Sequence, residues 1–162
     1  MYELMAVLND FSRHKEWMRF MTETRILWRP DDFHLIIYVL FDSPWPVWDR
    51  DTVMSVVLDL DQEKREMQMH FERLEVEQAP PVPGIIRVPR GELWARLTYL
   101  APDRTEVEGW MDIDPAGDLP RWLVRWFTRR IPHQALQRMR EQLVKTRGLY
   151  GEFIKKYDPS RR

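Results

Sequence analysis

A chain of 162 residues with 25 Lys and Arg against 26 Asp and Glu has a formal net charge of −1, which leaves no global basic field to hold nucleic acid by phosphate neutralisation. The length suits one domain with one core, and the absence of Cys excludes disulfide scaffolds, thiolate zinc sites and thiol nucleophiles without fixing a compartment. No run approaches the roughly 18 apolar residues of a membrane span, and the first residues lack a signal-peptide pattern; the chain reads as soluble and cytoplasmic, or periplasmic if a segment precedes it.

Leu4, Val7, Leu8, Phe11, Met18 and Met21 recur at near-helical spacing, interrupted where Asp10 or Ser12 can cap a second short helix running through Glu16 and Trp17. Strand patterns follow at 24–28 and 33–41, separated by Arg29-Pro30-Asp31-Asp32. The second is apolar at both parities, which predicts cover on both faces. Further strands are expected at 52–60, 65–76, 93–100 and 105–113, with a proline-rich loop over 79–84 and strand-like sequence at 85–88, mostly as an antiparallel meander. Within 65–76, Met67, Met69 and Phe71 alternate with Gln68, His70 and Glu72, which predicts one dry and one wet face. Asp118 is a suitable N-cap and Pro120 is tolerated in the first turn of a long helix, with Leu119, Trp122, Leu123, Trp126, Phe127, Ile131, Leu136, Met139 and Leu143 on one face and a kink expected at Pro132. Gly148 and Gly151 weaken its continuation, and 158–162 is a polar tail, so the expected domain spans 1–157.

Eight Trp and nine Met are core fillers one by one, but together they also suit a deformable apolar pocket. In PWPVWDRD, Arg50 between Asp49 and Asp51 either holds a loop or receives a polar headgroup. Arg87, flanked by Ile85, Ile86 and Val88, either snorkels outward or turns inward to a carboxylate. His14, His34, His70 and His133 have no metal-ligand spacing; no metal, cofactor or catalytic set is expected. Arg121, Arg125, Arg129, Arg130, Arg138, Arg140, Lys145 and Arg147 give the last helix a basic face, either simply solvated or suited to an anionic lipid surface.

Taken together and in order, LNDFSRHKEWM, PWPVWDRD, IIRVPRGELW, EVEGWMDIDP and GDLPRWLVRWF followed by IP at 131–132 make the chain resemble the START family of lipid-transfer domains, bacterial START-like proteins included. The resemblance implies an α+β helix-grip fold, a curved antiparallel sheet wrapped around a long C-terminal helix with short N-terminal helices. It also implies one lipid or similar hydrophobe held between sheet and helix, with the family's Arg-Asp motif on Arg50 and Asp51, its buried Arg on Arg87 and its gripping helix on 118–143. The expected ligand-binding set is Trp45, Arg50, Met54, Met67, Met69, Phe71, Arg87, Trp94, Trp122, Trp126 and Phe127. Two departures stand out. The family usually has a first strand before the helix near Tyr2, so an open sheet edge that could pair with a second copy or another chain is expected. The extra cation of sterol-binding members is missing from 53–58, which leaves sterol specificity unsupported. A non-enzymatic lipid-binding role leads; a polyketide cyclase or aromatase using the same cavity, and an assembly module pairing through its sheet edge, are the alternatives.

Overall fold

The computed structural model describes residues 1–45, 47–117 and 119–159, without the side chain of Phe127. The expected N-cap at Asp118 and most of the polar tail therefore lie outside the described residues. The chain opens with α1 (Tyr2–Asn9) and a 3₁₀ helix (Phe11–Glu16). Six long strands follow: β1 (Met21–Trp28), β2 (His34–Phe41), β3 (Arg50–Asp61), β4 (Glu66–Arg73), β6 (Arg90–Ala101) and β7 (Arg104–Asp114), with the two-residue β5 (Ile86–Arg87) between β4 and β6. The chain ends in α2 (Arg121–Lys145) and α3 (Gly151–Tyr157).

Hydrogen bonding orders the sheet β1-β2-β3-β4-β6-β7, antiparallel throughout, while β5 pairs with the start of β3 in parallel. This is an open, curved antiparallel sheet with a long C-terminal helical segment and short N-terminal helices, the helix-grip architecture. The strand expected over 65–76 stops at Arg73; Leu74 and Val76 instead turn back over the sheet with Ala79 and pack on Tyr38 and Val53. That fold-back covers the outer face of β2, which explains why its sequence is apolar at both parities.

The inner face is set by register. Leu35, Ile37 and Val39 of β2, Val56 and Leu58 of β3, Met67 and Met69 of β4 and Leu97 of β6 form one buried cluster with Met5, Val7 and Phe11 from the N-terminal segment and Met139, Ile154 and Tyr157 from the C-terminal helices. At about 25 cal/mol per Å² of apolar surface removed from water, such fully buried side chains contribute about 1.5–3 kcal/mol each. The short α3 emerges because Gly148 adopts φ 82° and ends the turn after α2. Asp32, in the β1–β2 turn, then accepts hydrogen bonds from Lys156 Nζ (2.8 Å) and Tyr157 OH (2.6 Å), which fastens α3 to the sheet.

Candidate ligand-binding site

β3 is regular where it pairs with β2, so alternate residues face alternate sides. Arg50, Thr52, Met54 and Val56 point to the inner face, and Asp51, Val53 and Ser55 to the outer one. That parity separates the two candidate arginines. Arg87 lies beside Asp51 in the β3–β5 pairing and binds it bidentately, Nε to Oδ1 at 2.6 Å and Nη2 to Oδ2 at 2.9 Å. It also donates to the carbonyls of Ala79 (3.1 Å) and Pro80 (3.3 Å). Asp51 is 0% exposed, so the pair locks the fold-back loop to the sheet on the outer side. Burial, and secondarily the Asp51 charge, hold the Tyr38 phenol above its ordinary pKa.

Arg50, 7% exposed, reaches the other way. Its guanidinium donates to the carbonyls of Trp48, Pro115 (3.4 Å) and Ala116 (3.4 Å). The aromatic loop before β3 is thereby stitched to the turn that starts α2, where Gly117 adopts φ 72° and a Cβ at that position would meet Ile86 and Arg50. Two residues on, Thr52 is 4% exposed and its Oγ1 is buried without a hydrogen-bond partner. Thr52 was not singled out in the sequence; its parity with Met54 would have placed it inside once the strand was started at Arg50.

The remaining candidates divide by position. Met67 and Met69 are buried on the inner face, with Met54 and Phe71 partly buried against the same cluster. Trp94 stands opposite His70 and Trp110, on the outer face, where Arg96 lies over its ring and His70 Nε2 meets Glu92 at 2.9 Å. Trp45 is 92% and Trp122 65% exposed. Trp126 is half-buried beneath Arg130, and the two border a shallow surface depression of about 340 Å³ with Trp122, Arg125 and Arg129. Phe127 lies outside the described side chains. Among the described residues no cluster of three or more His, Asp and Glu is placed to hold a metal ion, and no helix is long and apolar enough to cross a membrane.

A curved antiparallel sheet with an apolar inner face and a long C-terminal helix defines the helix-grip class. Within that class, residues 1–147 match the START domain model, and the chain belongs to the START domain family. An uncharacterised protein of Pseudomonas aeruginosa is 28% identical over 142 residues, covering 86% of this chain and 68% of that protein. The crystal structure of a STAR-related lipid transfer protein fragment from Xanthomonas axonopodis superposes with a TM-score of 0.74 at 24% identity, over 87% of this chain and 77% of that one. Human STARD10 gives 0.81 at 18% identity over 99% of this chain and 66% of that one. The Zhui aromatase/cyclase of Streptomyces sp. R1128 gives 0.61 at 15% identity over 93% and 90%. The fold is thus similar to those of both a STAR-related lipid transfer protein and an aromatase/cyclase.

Proposed function

We propose that this chain binds one lipid or similar hydrophobic molecule between the inner sheet face and α2, and exchanges it at an anionic membrane surface. The observation that carries the reading is that the inner face stays apolar beyond the core that covers it. On β7 the residues facing Leu93 and Leu97 are Met111 and Val107; both, with Ile113, remain exposed. Along α2 the packed cluster includes Met139 and not the buried Leu123 at the opposite end. A partly covered apolar face lined with Met and Phe is a surface on which an acyl chain or ring system can lie.

The exchange end is the one Arg50 stitches together. Trp45, Trp48 and Trp122 are exposed there, with Arg121 and Arg125 exposed on the first turns of α2. Indoles suit the headgroup layer and guanidinium groups suit anionic lipid. No covalent chemistry is required.

Native mass spectrometry of the purified protein, followed by organic extraction, tests the binding step. A stoichiometric lipid adduct is expected; an apo mass that stays apo after incubation with mixed lipid vesicles contradicts it. The likeness in fold to Zhui supports a second reading, polyketide cyclisation in the same space, which turnover of a polyketide chain by the purified protein would establish over the first.

A further inference from the structure

We infer that Arg50 and Thr52 form a subsite for the anionic headgroup, carboxylate or phosphate, of an amphiphilic ligand. The inference rests on the lipid-binding reading above and narrows its ligand class.

Three features carry it. Arg50 and Arg87 enter the same corner of the sheet, yet among the described residues only Arg87 of the two has a carboxylate in direct ion pair; Asp49 acts on Arg50 through its charge, without a direct contact. Arg87 is bidentate to Asp51, whereas the hydrogen bonds of Arg50 run to backbone carbonyls alone. Among the described residues no carboxylate is ion-paired to Arg50; the neighbouring Asp49 instead accepts from the Ser43 amide through Oδ1 at 2.9 Å. A guanidinium has five N–H donors, and Nε, Nη1 and Nη2 each use one, which leaves two. Burying such a cation without a directly paired carboxylate is unfavourable.

The second feature is the orphaned hydroxyl of Thr52, buried on the same face. Strand geometry puts it about 7 Å along the chain from Arg50. The two side chains can therefore reach different oxygens of one headgroup, or the same oxygen from two sides.

The third is what surrounds them. Phe41, paired with Arg50 across the β2–β3 ladder, and Met54, next on the inner row, both pack on the apolar core. An anion with an apolar tail satisfies the charge, the hydroxyl and these neighbours together; a neutral lipid satisfies only the last two.

The test displaces the neutral probe N-phenylnaphthylamine from wild-type protein with oleate, oleoyl lysophosphatidic acid or oleyl alcohol. The variants are Thr52→Val, which keeps the shape and removes the hydroxyl, and Thr52→Ser, which restores it. One or both anions should bind wild-type protein about tenfold more tightly than the alcohol, since a hydrogen bond to a charged group exceeds a neutral one. Whichever anion binds more tightly assigns the headgroup as carboxylate or phosphate. Thr52→Val should weaken anion binding severalfold more than alcohol binding and so lower that preference, and Thr52→Ser should restore it. Equal affinity for alcohol and anions, or a Thr52→Val loss of the same size for all three ligands, overturns the subsite and leaves the binding reading standing. Failure of the probe and all three ligands to bind removes both.

Discussion

At the scale of single residues, the buried charge pair and the buried histidine are the most consequential features. Asp51 is fully buried and its carboxylate is held by Arg87. Removing one partner of such a pair leaves an uncompensated charge and costs about 3–5 kcal/mol. Arg87→Met should therefore lower stability by that amount in urea unfolding, and Arg87→Met with Asp51→Asn should recover part of it. A single variant as stable as wild type would show that the pair does not hold the loop over 74–80. His14 sits between the rings of Phe11 and Trp17 and donates Nε2–H to Leu8 O at 2.9 Å. Burial lowers its pKa from 6.5 to about 4. The unfolded chain thus takes up the proton first, so the neutral ring's contribution is complete above pH 6.5 and is lost as pH falls towards 4. At about 1.4 kcal/mol per pH unit the loss reaches about 3 kcal/mol. His14→Gln, which can still donate to Leu8 O, should flatten the thermal midpoint between pH 6.5 and 4; an unchanged slope would assign the acid sensitivity to other groups.

At the scale of elements, the β6–β7 pair and α2 decide how much inner face is available. Gly109 lies opposite Ala95, and a Cβ there would come within 2.7 Å of the Trp94 carbonyl oxygen. Backbone cannot yield as a side-chain tip can, so Gly109→Ala should shift the last strand and cost about 1–3 kcal/mol. Urea midpoints check this, and an unaffected midpoint would mean that the pair relaxes freely. Most elements were legible in the sequence because each pattern is local: the Met67, Met69, Phe71 alternation, the charged turns and the i, i+3, i+4 spacing of α2. What stayed illegible depends on pairing between segments. Trp94 shares the strand character of Leu93, but only the register with His70 and Trp110 puts it on the outer face. The parallel pairing of β5 is two residues long and leaves no periodic trace. From sequence alone Arg50 and Arg87 can each face either way; the start of β3 at Arg50 and its pairing with β5 separate them. The fold-back of Leu74 and Val76 onto Tyr38 and Val53 had no local signal, since both residues continue a plausible strand.

At the scale of the whole molecule, the sheet is asymmetric. Its outer face is closed near β2 and β3 by the fold-back loop, while β7 forms an edge whose side chains are almost all exposed. β7 carries Glu106, Glu108, Asp112 and Asp114 on the outward row and Val107, Met111 and Ile113 on the inward row. Arg96 and Arg90 pair with Glu108 and Asp112, whereas the inward Val107, Met111 and Ile113 are apolar and exposed. A bound ligand should lie on that inner side, beneath α2, and a photoactivatable fatty acid measures this most directly. Oleate bearing a diazirine in its chain should, after irradiation and peptide mapping, label Met54, Phe71, Met111 or Leu123. Labelling confined to Trp94, Trp110 and His70 on the outer face, or spread without preference over the surface, would contradict it.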